Sequence, residues 1–275
     1  MFRKSLKMLK NNPLLILFFL LAILAYAIPM LLFMPDLKKI IDISKEITEN
    51  PSNPSMMNLP QMTTMMLSTM KMYLFMLVLG ILGLIFVAGY GNMLASAVND
   101  GKASFKIFIF GIRKFSGKIV LSALLLVAIC IGFGIVISIC TIPFTFIGIA
   151  TNNFNPEKMF AFQMIIQIIT LIISVFLYPF VELWFPATFL ERNDGVITCF
   201  KKGLRAGRRK YLLLVAVTAV MILPLLVLYI TSGDIYSIME SPVYIVSMVC
   251  QAIIIPVVMA YLFTIYNEMK KDNAI

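Results

Sequence analysis

Residues Pro179–Tyr211 read PFVELWFPATFLERNDGVITCFKKGLRAGRRKY, and the character of this stretch changes midway. Up to Leu190 its only charged residue is Glu182; from Arg192 onward it carries the densest basic run in the chain. An apolar segment that ends in prolines and the only tryptophan, and then turns basic, reads as the cytoplasmic end of a membrane helix. The basic part reads as a helix lying on the membrane surface, where tryptophan and basic residues concentrate.

The rest of the chain fits that reading. Of 275 residues, 61% are hydrophobic and 13% charged, and the mean hydropathy is +0.97. This composition argues against a soluble class and makes the bilayer the solvent. A helix rising about 1.5 Å per residue needs roughly 20 apolar residues to cross the hydrocarbon. Six runs meet that need: 14–34, 72–98, 119–150, 159–190, 211–231 and 242–266. The expected fold is therefore all-α, a single polytopic transmembrane domain of six spans.

Charge sets the orientation. Segments 1–10, 99–118 and 191–210 hold 16 of the 23 Lys and Arg, whereas 35–71, 150–159 and 231–241 hold five against seven acids. The positive-inside rule puts the first set, and both termini, in the cytoplasm. The net charge of +10 thus reports topology and anionic headgroups first, and no nucleic-acid module accompanies it.

At the N-terminus, a basic start, an apolar core and Ala25-Tyr26-Ala27 match a cleavable signal. The apolar run continues to Met34, however, and favours retention as the first span. Residues 35–71 are expected as an extracytoplasmic loop. Leu37, Ile40, Ile41 and Ile47 would form a short surface helix there, up to the breaker Asn50-Pro51. Methionines follow. Met62 and Met65 have the softness for Cu(I), but Met62, Met66 and Met70 repeat at helical spacing and read first as a face that fills gaps in packing. Cys130, Cys140, Cys199 and Cys250 form no CxxC pair and read as small buried hydrophobes. Histidine is absent, which removes the commonest general base and metal ligand. No cofactor or metal is expected.

Set in register on Phe2, Phe105 and Phe200, the chain gives FRKSLKMLKNNPLLIL, FKIFIFGIRKFSGKIV and FKKGLRAGRRKYLLLV. VNDGKASF (98–105) and RNDGVITC (192–199) also match at the ends of two inward spans. Three parallel units are expected, each a basic interfacial helix, an outward span, a loop and an inward span. The positive-inside rule alone would also place basic residues ahead of every outward span. Glu182 aligns with Ala88 and Met259, so it has no acidic counterpart.

In FPATFLERNDGVITCFKKGLRAGRRKYLLL, a Pro-Ala pair (Pro186-Ala187), an acid (Glu191), a glycine (Gly195) and a basic helix (Lys201 to Lys210) follow one another. With the span count and the basic helices, this resembles the loosely defined prokaryotic six-span membrane proteins that include the membrane domain of glycerophosphodiester phosphodiesterases. The resemblance implies a membrane protein of mostly unassigned function, and a prokaryotic cytoplasmic membrane is the expected location. The phosphodiesterase activity belongs to a separate soluble domain in that family, so the resemblance implies no catalytic residue.

Few residues stand out chemically. Glu182 is the one ionisable group in an apolar run, and such a group is costly unless it serves a proton, a cation or a partner charge. Because 159–190 is longer than a span needs, Glu182 and Trp184 are expected among the headgroups. Asn92 could tie two helices or meet a solute. Gln163, Gln167 and Thr170 share a helical face. Pro29, Pro143, Pro179, Pro224 and Pro256 put a helix irregularity in five spans. Lys201, Lys202, Arg205, Arg208, Arg209 and Lys210 are expected to contact anionic lipid. The expected role is non-enzymatic, a scaffold or accessory subunit with a membrane-protein partner. The alternative is a small-solute transporter or exporter that uses Glu182 and proline-kinked helices.

Overall fold

The computed structural model describes residues 1–49, 59–152, 168–170, 172–232 and 242–272, and the regular structure among them is helical. In chain order the helices are α1 (Phe2–Asn11), α2 (Pro13–Glu49), α3 (Leu59–Asp100) and α4 (Phe105–Asn152). They continue with α5 (Ile168–Leu177), α6 (Pro179–Glu182), α7 (Trp184–Leu190), α8 (Val196–Arg209), α9 (Tyr211–Ser232) and α10 (Pro242–Lys271). Three are long and apolar enough to cross a membrane: Met62–Asp100, Phe105–Ile135 and Ala252–Lys271. The number rises to five if the bent pairs Phe2–Asn11 with Pro13–Ala25 and Ile168–Leu177 with Pro179–Leu190 each cross as one. That falls short of six. The described apolar part of α9, Tyr211–Leu223, is too short by itself, and 159–167 lie outside the described residues.

Several boundaries differ from expectation. Residues 35–49 are not a loop with a separate surface helix but the continuation of α2, and 59–71 are already α3. Nothing in Leu37–Glu49 breaks a helix, so the polar residues extend it beyond the apolar run. Likewise 105–118 is the first part of α4 rather than a helix apart. Of the five prolines, only Pro179 coincides with a break, a bend of 43° between α5 and α6–α7. Helix assignment runs unbroken through Pro29, Pro143, Pro224 and Pro256.

Contacts divide the chain into two compact units. Leu17–Val87 is one, and in it α2 and α3 are joined by stacked Phe33 and Phe75 (ring centroids 4.2 Å apart) and by Ser68 Oγ donating to Asp36 Oδ1 (3.5 Å). Met62, Met66 and Met70 lie exposed along α3. They form the expected face, but it fills no core.

The other unit, Met1–Ile16 with Ala88–Ile275, holds the main core. It is built from the last turns of α3, the first turns of α4, α6–α7, α8, the start of α9 and the end of α10. Its centre is a ring cluster: Phe189 of α7 lies 5.2 Å from Phe115 of α4 and 6.1 Å from Phe263 of α10, centroid to centroid, with Phe185 bridging. Rings at these spacings and tilts add edge-to-face attraction to the burial of large apolar surface.

Local chemistry sets the corners. α3 ends on Gly101, whose φ of +70° is the left-handed geometry that a helix terminus assigns to glycine. The matching Gly195 instead has extended backbone and caps the start of α8, so the repeated Asn-Asp-Gly adopts two conformations. Between α1 and α2, buried Asn12 donates to Met8 O (3.0 Å) and Gly101 O (3.3 Å) and accepts from the Ala103 N–H (2.8 Å). One side chain thus pins the α1–α2 corner to the α3–α4 turn. Pro13 follows at the first helical position, where its missing N–H costs nothing.

Candidate functional site

The site is the opening stretch, folded back on itself. Proline at 179 removes a backbone donor and interrupts the helix. The turn at Leu183 then divides α6 from α7. α8 returns across this broken end, and its approach depends on two glycines. A methyl group at Gly203 would come within 2.5 Å of Trp184 Cα and 2.6 Å of Trp184 N, and one at Gly207 within 2.8 Å of Pro179 O. These distances put helix backbone against helix backbone, which only small residues four apart permit. Trp184 meets Phe200 of α8 edge to face at 5.2 Å.

Glu182 therefore lies inside the protein, 5% exposed, among α6, α8 and α9. Glu182 and Trp184, expected at the depth of the headgroups, are covered by protein at that end of the helix, by α8 and α9. The Thr218 hydroxyl of α9 lies in hydrogen-bond range of Glu182 Oε1 and of Leu214 O (2.9 Å), and shares one proton between them. Glu182 Oε2 and Trp184 Nε1 are buried without a hydrogen-bond partner among the described residues.

Below this lies an ionic knot around Glu191, the residue that ends α7. Its Oε2 meets Lys202 of α8 (3.1 Å) and its Oε1 meets Lys270 of α10 (3.1 Å), while Tyr266 donates to Oε1 at 3.5 Å. Lys118 of α4 donates to Glu191 O (2.8 Å), and Lys270 donates to Leu190 O (3.0 Å). Lysines on the last carbonyls of α7 also complement the negative end of its dipole. Lys202 pairs with Asp194 too, at 2.8 Å. That ammonium holds the Asp194 carboxyl below the usual carboxylate range, and Asp194 and then Glu191 hold Lys202 above the usual ammonium range. Burial pushes the Cys199 thiol up, as befits a buried apolar cysteine, although Cys130 and Cys250 are exposed.

The basic run consequently divides. Lys201, Arg205, Arg208 and Arg209 are exposed along one face of α8, opposite buried Val196, Cys199, Gly203 and Ala206. Lys202 is committed to the knot, and Lys210 is half-buried at the α8–α9 corner. Asn92 is buried and donates to Ile107 O at 2.8 Å, a tie between α3 and α4. Gln163 and Gln167 lie outside the described residues. Among the described residues, no three His, Cys, Asp or Glu side chains converge as a metal site.

Three features escaped sequence reasoning. The Gly203–Gly207 spacing was visible and would have marked the buried side of α8. Glu191 stands out in the sequence only through the resemblance, because its side-chain partners, Lys202, Tyr266 and Lys270, lie 11 to 79 positions away. Asn12 gave no signal that a side chain between two helices would reach Gly101.

Compared with protein-family models, curated proteins and solved structures, the chain matches none.

Proposed function

We propose that the protein is a multi-pass protein of a prokaryotic cytoplasmic membrane, with six spans in three parallel units and both termini cytoplasmic, acting as a scaffold or accessory subunit. The observation that carries this reading is a contact pattern found twice. Phe2 of α1 meets Tyr261 of α10 edge to face at 6.0 Å, and Lys4 meets Glu268 at 2.7 Å. Phe200 and Trp184, with Lys202 and Glu191, make the same pair of contacts between α8 and α7. In both, lysine follows phenylalanine by two positions, and glutamate follows the aromatic partner by seven. The buried Ser5 occupies the register of Gly203.

Such agreement supports a repeated unit whose basic helix docks on the end of an inward span, with the first helix docking on the last span. It also supports the resemblance to the six-span proteins. What the docking does physically is hold span ends together: rings fill the core, ion pairs stitch the helix ends, and a basic face is left for anionic headgroups. That is the work of a scaffold. Cross-linking in native membranes followed by mild-detergent purification should yield one membrane-protein partner at fixed stoichiometry. A chain that cross-links only to itself or to nothing would overturn the accessory-subunit reading.

A small-solute transporter or exporter is the second reading, favoured by Glu182 and its open oxygen. Solute flux in proteoliposomes that is unchanged by Glu182→Gln would remove Glu182 from it.

A further inference from the structure

We propose that Glu182 is a reversible proton-binding site, held as the neutral acid in the packed core. The inference depends on neither functional reading above, because it concerns the state of one carboxyl group. Glu182 is 5% exposed, Thr218 engages Oε1, and Oε2 has no hydrogen-bond partner among the described residues. Burying an unpaired carboxylate costs far more than burying an unpaired hydroxyl. Taking up a proton is therefore the least costly way to keep this side chain where it is.

Among the described residues, none of the charged groups on the packed elements forms an ion pair with Glu182. On α8, Lys201, Arg205, Arg208 and Arg209 are exposed, and Lys202 is paired with Glu191 and Asp194. α7 has no titratable residue before Glu191 at its end, and Glu191 is held by Lys202 and Lys270. At the start of α9, Tyr211 donates its hydroxyl to Phe176 O (2.9 Å), and Lys210 is half-buried at the corner before it. Tyr178, just ahead of Pro179, is exposed. Among the described residues, no cation lies within ion-pair distance of Glu182 to hold a charge there.

The surroundings also supply a control on the proton. A hydroxyl that donates to a carboxylate favours its charged form. Thr218 therefore keeps Glu182 able to release the proton as well as to hold it.

The test is infrared difference spectroscopy of the full-length chain in liposomes of phosphatidylethanolamine and phosphatidylglycerol. Wild type near neutral pH should carry a neutral-carboxyl C=O band that Glu182→Gln lacks, and the band should be lost on making the sample alkaline. In Thr218→Val the band should persist to higher pH, and in Thr218→Ser it should follow wild type. A wild-type spectrum without the band at neutral and mildly acidic pH would overturn the proposal. A Thr218→Val band lost at lower pH than wild type would remove Thr218 from it. Loss of the band on adding Na⁺ at constant pH would make a metal cation, not a proton, the occupant. Glu182→Gln replaces the acid by a neutral group of the same shape, so its fold is expected to survive.

Discussion

α8 on α6–α7 and α1 on α10 are the same docking contact made at different depths. Each places a phenylalanine edge against an aromatic ring and a lysine on a glutamate. At α1 the lysine side chain is 74% exposed, and the helix is seated by a hydroxyl pair, Ser5 donating to Thr264 at 3.2 Å. At α8 the lysine is 34% exposed, glycines bring backbone onto backbone, and the glutamate is shared with Lys270. One contact pattern can thus serve as an outer seal in one place and as an anchor in another, depending on what surrounds it.

If α8 is the anchor, Gly203→Leu should have the largest effect. Its side chain has nowhere to go but into the backbone of Trp184, and overpacking of this kind costs about 1–3 kcal/mol or more. Thermal unfolding in detergent would read that as a large drop, whereas Ser5→Ala, which gives up one buried hydrogen bond, should cost about 0.5–1.5 kcal/mol. Equal losses would break the comparison.

Next comes the acid of each pair. Glu191→Gln weakens charge-assisted contacts to two lysines and should cost about 1–3 kcal/mol, while Glu268→Gln should leave the melting temperature nearly unchanged, because a largely exposed lysine gains little from its partner. The Asp194–Lys202 pair adds a pH signature. Asp194 is held low, so its contribution is present above the ordinary carboxylate value of about 3.9 and is lost as pH falls through the lower folded value. Lys202 is held high, so its contribution is present below about 10.4 and is lost as pH rises through the higher folded value. Lys202→Met should flatten both limbs.

The smallest expected difference is between the rings. Phe200→Leu should cost about 0.5–1.5 kcal/mol beyond its lost area, and Phe2→Leu less, since Phe2 is 54% exposed.

What could be read in the sequence was local. The apolar runs, the basic helix after Asn193-Asp194-Gly195 and the break at Pro179 follow from composition and from the chemistry of single residues. Phe2 and Phe200, aligned by their basic surroundings, each meet an aromatic ring edge to face. Helix lengths were harder to read, since polar residues such as Asp36 and Lys39 continue a helix as readily as they end a span. The site depended on distance in the chain. Glu182 needs Thr218, and Glu191 needs Lys118 and Lys270, and no periodicity connects residues on different helices. The length of 159–190 speaks to the depth of Glu182, but nothing in that segment reveals that α8 folds back over it.

The central claim, three parallel units with every basic helix on one side, is tested most directly by single-cysteine accessibility in intact cells. In a chain with the four native cysteines replaced, Lys7→Cys, Lys106→Cys and Lys201→Cys should resist a membrane-impermeant maleimide until the membrane is opened, and Asp42→Cys and Asp234→Cys should react from outside. Reaction of Lys106→Cys or Lys201→Cys in sealed cells, or protection of Asp42→Cys, would contradict the account.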